Sequence, residues 1–319
     1  MLVTDAIEEF LVGYFSTHDR SEKTVAAYSL DLRQFTEFLP EPAQRLRGLG
    51  PDLLENWAST LRERGYASAS IRRKFASLRV FLNYWVRRGA LSRSPMWQIR
   101  LDLQRERILT PTLSQDEVRR LLLKAHENVG RCTTPTPGFA ETRDAAVIEV
   151  LFATGIRVGE LTALQLGDYR RSAGEFLIRG KGARQRLAIV SDRVTREIVD
   201  KYVAARDQLS TRATAFFLGN TGRPLTTQAV AGILRRVAKS AGLDRHITPH
   251  MMRHTVATLL LRNGADLRIV QEFLGHASIT TTERYTHISK RHLETALQEH
   301  HPSIRLRASH QRLAPRTDN

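Results

Sequence analysis

Apolar residues recur at three- and four-residue spacing through most of this chain. They alternate at two-residue spacing where Phe176 and Ile178, then Leu187 and Ile189, flank a Gly-Lys-Gly turn. The first spacing turns one helix face inward and the second one face of a strand. The pattern therefore predicts a mainly α chain with a small β-hairpin in its C-terminal domain, the hairpin tip at Gly180–Gly182. Four helices account for the first third. Ala6, Phe10, Leu11, Tyr14 and Phe15 form one stripe, and Val25, Tyr28, Leu32, Phe35 and Leu39 a second, with Ser21 as its N-cap. Leu53 to Arg64 gives a third helix, and Ser70 to Arg88 a fourth that turns Ile71, Phe75, Leu78, Leu82 and Trp85 inward and stops at Gly89. Trp57, Trp85 and Trp97 read as packing residues. Ser114 opens a helix with Asp116 and Glu117 in its first turn, and 129–142 reads as a loop rich in Gly and Pro. Helices are expected over 143–155, 158–164, 193–209, 226–241, 249–263, 266–275, 281–287 and 290–299.

At roughly 100–200 residues per domain, 319 residues suggest two. We expect a helical domain at 1–105, a linker at 106–112, a second domain at 113–300 and a basic, disordered tail at 301–319. The charge is uneven. Residues 1–61 carry 5 basic and 10 acidic side chains, residues 62–107 carry 12 and 3, and the whole chain has a net charge of +16. Such a basic excess suits a polyanionic partner, most simply nucleic acid. The candidate DNA-binding face runs through Arg72, Arg73, Lys74, Arg79, Arg87 and Arg88; the alternative for each is an ordinary solvated helix surface. Cys132 is the single cysteine, so no internal disulfide can form. No apolar run approaches the ~18 residues of a membrane span, and Asp5, Glu8 and Glu9 give the N-terminus the wrong sign for a signal peptide. The expectation is a cytoplasmic protein with no membrane partner.

Five stretches carry chemistry-bearing side chains: ATGIRVGEL with Arg157 and Glu160, RGKGARQR with Lys181, TPHMMRHT with His250 and Arg253, LGH with His276, and TTTERYTH with Tyr285. Arg157 and Glu160, like His250 and Arg253, stand one helical turn apart and can share a face. Taken singly, each stretch has a plain structural reading: a surface ion pair, a turn, a structural histidine, a packed tyrosine. Together they supply what metal-free phosphoryl transfer needs. Two guanidiniums can hold the non-bridging oxygens, a hydroxyl can attack, an imidazole can take its proton, and an ammonium can protonate the leaving oxygen.

The order Arg, Lys, His-x-x-Arg, His, Tyr resembles the tyrosine recombinase, or phage-integrase-type, family. The stretch from His246 to His287, HITPHMMRHTVATLLLRNGADLRIVQEFLGHASITTTERYTH, is similar to bacterial Xer-type recombinases. The resemblance implies a SAM-like core-binding domain and a catalytic domain closing on duplex DNA as a C-shaped clamp. It implies site-specific recombination through a 3′-phosphotyrosyl intermediate and a Holliday junction, without metal, ATP or other cofactor. Integration, excision, and resolution of mobile elements, plasmids or chromosome dimers all stay open. By the same resemblance Tyr285 is the nucleophile, and Arg157 and Arg253 grip the phosphate. Lys181 is the acid for the leaving 5′-oxygen, His250 is the acid/base at the tyrosine, and His276 is a phosphate ligand. Glu160 and His254 have supporting roles. Partners would be a double-stranded recombination site, three further copies in a tetramer, and a second related recombinase or accessory protein. Residues 292–298, with Leu293 and Leu297, match a last helix that packs into a neighbouring subunit, the alternative being packing on its own domain.

Three other readings compete. His250 and His254 have metal-ligand spacing, but the glutamate of a metalloprotease motif is missing and Arg253 lies beside them. A non-catalytic DNA-binding accessory protein would share the charge pattern without needing the six polar positions. A type IB topoisomerase would share the chemistry.

Overall fold

The computed structural model describes residues 1–18, 22–41, 43–101, 111–130, 138–180, 185–209, 211–275, 290–304 and 306. Ser21, Cys132, Lys181, His276, Tyr285 and the helix expected over 281–287 lie outside them. The chain divides into two compact units, Met1–Ile108 and Leu109–Asn319.

Among the described residues the first unit holds four α-helices: α1 (Val3–Thr17), α2 (Glu22–Thr36), α3 (Pro51–Glu63) and α4 (Ser68–Arg87). Pro51 starts α3 where a missing N–H costs nothing, and Gly89, at φ 72°, turns the chain after α4. Ile71, Phe75, Leu78, Leu82 and Trp85, spaced by three and four, are all buried on one face of α4. They meet Phe10, Phe35 and Trp57 in a core where Trp57 packs against both Phe35 and Phe75 at 4.9 Å between ring centroids. Replacing such a ring by alanine costs about 3–5 kcal/mol.

Two expectations fail here. Lys74, counted on the basic face, is only 2% exposed. Its ammonium bonds Asp31 at 3.2 Å and also Gln34, because Asp31 on α2 is fully buried and needs donors; Arg73 (2.6 Å) and Ser77 (2.9 Å) supply two more. Trp97 is 62% exposed. It closes a short 3₁₀ turn, Pro95–Trp97, and takes the Arg93 guanidinium on its ring face at 4.7 Å.

The second unit contains α5 (Gln115–Gly130), α6 (Phe139–Thr154) and α7 (Val158–Ala163). The strands β1 (Tyr169–Arg170), β2 (Glu175–Arg179) and β3 (Gln185–Ile189) follow. The remaining helices are α8 (Arg193–Asp207), α9 (Thr227–Ser240), α10 (Pro249–Arg262), α11 (Leu267–Leu274) and α12 (Lys290–His300). Residues 142–154 of α6 are buried on every side, so α6 is the axis around which the other helices pack. The caps are legible in side chains: Ser114 and Glu117 bond each other's backbone N–H, and Asp192, Thr226, Thr248 and Asp266 cap α8, α9, α10 and α11. The strands form one antiparallel sheet in the order β1-β2-β3, with Phe176 opposite Ala188 and Ile178 opposite Arg186. The hairpin thus gains a third strand, too short at two residues to leave an alternation signal.

The loop expected at 129–142 is overdrawn at both ends, since α5 runs to Gly130 and α6 starts at Phe139. The expected tail is contradicted at its first residues, and 307–319 lie outside the described residues. His301 and Ser303 are buried, the His301 ring packing edge-on against Phe152 and Phe273, so α12 and the turn after it belong to the core. Leu293 and Leu297 are buried in their own unit.

Candidate active site

Arg253 is set by two helix ends. It lies on α10, 6% exposed, and donates from Nη1 to the Gly155 carbonyl (2.5 Å) and from Nη2 to the Leu274 carbonyl (2.7 Å). Gly155 and Gly275, at φ 55° and 64°, end α6 and α11 in the left-handed conformation that glycine tolerates. These ends carry unpaired carbonyls and the negative pole of the helix, a natural seat for a cation. A side chain at Gly155 would also collide with Phe273, at 2.9 Å from its Cβ. The Arg253 bonds therefore go to neutral carbonyls, and its charge is left over. Burial, then repulsion from Arg157 and Arg186, lowers its pKa to about 10, which still leaves it charged at neutral pH.

Arg157 precedes α7 in an extended conformation, its side chain half exposed. The Glu160 carboxylate reaches back to it, accepting from the Arg157 backbone N–H (3.1 Å) and from Nη1 (3.0 Å). The same carboxylate accepts from Arg186 Nη2 on β3 at 3.0 Å. Burial alone would raise the Glu160 pKa; the Arg186 bond and charge and the two Arg157 bonds outweigh it and hold the carboxyl below its ordinary value. Among the described residues three guanidiniums and one carboxylate thus share this corner, an excess of positive charge at a solvent-facing arginine. An anion with several oxygens, above all a phosphate, is the ligand such a group accepts best.

His250 sits in the first turn of α10, exposed, and its Nε2 shares a hydrogen bond of 2.9 Å with Nε2 of His254. The rings meet edge to face at 4.4 Å, so one ring donates and the other accepts. Among the described residues no cluster of three metal-ligating side chains occurs. Of the expected site, the structure brings together Arg157, Glu160 and Arg253, and pairs His250 with His254. Lys181 follows the end of β2 and His276 follows Gly275 in the chain; with Tyr285 they are outside the described residues.

Sequence reading missed Arg186. Its register opposite Ile178 puts it on the inward face of the hairpin with Phe176, Ile178 and Ala188. A charged residue on an otherwise apolar strand face was the available signal. On the expected DNA face of the first unit, Arg79 and Arg87 are exposed and Arg72 is half-buried. Arg73 pairs with Asp31, and Arg88 with Glu9 at 3.0 Å. No helix among the described residues is long and apolar enough to cross a membrane.

The chain is similar to known proteins in both sequence and fold. Residues 7–89 match the phage integrase N-terminal SAM-like domain, and residues 111–292 match the phage integrase family. The tyrosine recombinase XerD of Listeria monocytogenes is 37% identical over 309 residues, spanning 94% of this chain and 99% of that protein. The fold is similar to that of the XerH site-specific recombinase bound to palindromic difH substrate (TM-score 0.68, 24% identity, 92% of this chain and 83% of that one). It is equally similar to a lambda integrase tetramer bound to a Holliday junction (TM-score 0.68, 17% identity, 90% of this chain and 80% of that one). With the domain order, the arginine pair and the relative at this identity in hand, the chain belongs to the phage integrase family and is a tyrosine site-specific recombinase.

Proposed function

We propose that Tyr285 breaks and rejoins double-stranded DNA at a recombination site whose scissile phosphate is held by Arg157 and Arg253. The observation that carries this reading is the uncancelled charge of Arg253, fixed by two carbonyls beside the Arg157–Glu160 pair. The phenol oxygen of Tyr285 attacks phosphorus, the bond to the 5′-oxygen breaks, and a 3′-phosphotyrosine and a free 5′-hydroxyl result. Charge grows on the non-bridging oxygens in the pentacoordinate transition state, and preorganised guanidiniums stabilise it more there than in the ground state. A tyrosine ionises at about 10, so His250 takes the phenol proton. For that step its Nε2 leaves His254, or its Nδ1 serves. Lys181 gives a proton to the departing 5′-oxygen, and His276 donates to the phosphate. The phosphotyrosine keeps the energy of the phosphodiester, so attack by a new 5′-hydroxyl reseals the strand without ATP.

Two sites, each carrying two copies of the chain, would exchange strands in pairs through a Holliday junction, the assembly named for the lambda integrase relative. The exposed Arg79 and Arg87, with Arg72, Arg73 and Arg88, contribute backbone contacts in the first unit. Binding should therefore weaken steeply as salt rises.

A nicked suicide substrate tests the chemistry. The expected product is a covalent protein–DNA adduct whose peptide map places the DNA on Tyr285, absent in Tyr285→Phe although that variant still binds. An adduct on another residue, or one surviving in Tyr285→Phe, would overturn the assignment.

A further inference from the structure

Among the described residues of the arginine corner, the chemistry above leaves Arg186 without a task. Its position is unusual. It projects from the inward face of β3, its side chain 15% exposed, and reaches the α7 side through Nη2 on Glu160. On the other side its aliphatic stem and Nε cross the surface of Gly275: a Cβ built there would lie 2.4 Å from Cδ and 2.6 Å from Nε. Among the described residues Nε is buried and has no acceptor. A buried donor left unpaired works against folding, so the placement is better explained by what the other end of the guanidinium holds. That end fixes Glu160, which fixes Arg157 through two bonds. The Gly275 turn over which it passes follows Leu274, whose carbonyl holds Arg253. One side chain therefore spans the supports of both phosphate-gripping arginines and adds a third positive charge that acts on Arg253.

We infer that Arg186 is a positioning residue for strand cleavage: it aims Arg157 through Glu160 and braces the Leu274–Gly275 turn behind Arg253, so that both guanidiniums face the scissile phosphate. The inference rests on the recombinase reading. It makes Arg186 act on the cleavage step and not on site binding, since neither Glu160 nor Gly275 is part of the proposed DNA face. Misplacing a reacting group's partner by an ångström can lower a rate by about 100-fold, and the loss belongs to the transition state, where the phosphate charge is greatest.

The test compares the full-length chain with Arg186→Met on a suicide substrate, reading site affinity and the single-turnover rate of adduct formation. The expected result is a cleavage rate lower by about 100-fold with affinity within about 3-fold. On a duplex whose scissile phosphate is an uncharged methylphosphonate, the substitution should cost less than about 10-fold, because little charge remains for the arginines to hold. In a Glu160→Ala background it should cost clearly less than in the unsubstituted chain, since the route to Arg157 is already cut and only the brace on the Leu274–Gly275 turn remains. Should the Met variant not fold, Arg186→Lys should show the same split between rate and affinity, for an ammonium cannot lie over Gly275 and reach Glu160 as the planar guanidinium does. Equal losses on the two substrates, a parallel fall in affinity, or additivity with Glu160→Ala would each overturn the inference. Absence of any adduct from the unsubstituted chain would instead overturn the reading of the site, and the role of Arg186 with it.

Discussion

Both units bury a cation, and they do opposite things with it. In the first, Lys74 ends on Asp31, which also takes Arg73 and Ser77. In the second, Arg253 ends on two backbone carbonyls, and Glu160, whose charge acts on it, is bonded to Arg157 and Arg186 instead. The first arrangement cancels charge and ties α2 to α4; the second concentrates charge and aims it. A count of lysines and arginines cannot separate the two, since the difference lies in what accepts the hydrogen bonds.

The contrast can be broken most directly at Arg253. Arg253→Lys keeps the charge but cannot bridge Gly155 and Leu274, and cleavage should fall by about 10²–10³-fold while the site stays bound. Similar single-turnover rates for variant and parent would mean that the fork is dispensable. Lys74→Ala should do the reverse. It leaves buried Asp31 short of a donor and should cost about 3 kcal/mol of stability, read as a lower denaturation midpoint, with no change in the salt dependence of DNA binding. A reduced salt slope would return Lys74 to the DNA face.

Smaller effects sharpen the comparison. Arg79, exposed on α4, should contribute one phosphate contact: Arg79→Ala should lower the slope of log affinity against log salt by about 0.9 and leave folding unchanged. Glu160 gives the smallest effect. Its folded pKa lies below the ordinary 4.5, so the stability it contributes is complete above that value and is lost as pH falls through the folded one. Glu160→Gln should therefore flatten the acid limb of stability below about pH 4.5. An unchanged limb would mean that the carboxylate is not held by the arginines as described.

Much of this was readable in the residues. The α4 face and the helix caps follow from spacing and side-chain type, which are local properties. Arg157, Glu160, His250 and Arg253 could be named because each pair falls within one turn. What could not be read depends on contacts distant in sequence. Lys74 looked exposed because its partner, Asp31, is 43 residues away. Arg186 carries no local sign of its partner, because its acceptor stands on another element. Trp97 looked like core because an indole seldom lies open unless a cation covers it. The two-residue strand β1 and the buried turn at 301–304 have no periodicity to detect; only packing defines them.

The most direct measurement is a structure of the chain on its DNA site, trapped before cleavage with Tyr285→Phe. The account predicts guanidinium nitrogens of both Arg157 and Arg253 at about 2.7–3.2 Å from the non-bridging oxygens of one phosphate, with the substituted aromatic ring in line behind phosphorus. A scissile phosphate held by other side chains, with Arg253 still confined to its two carbonyls and out of reach, would contradict it.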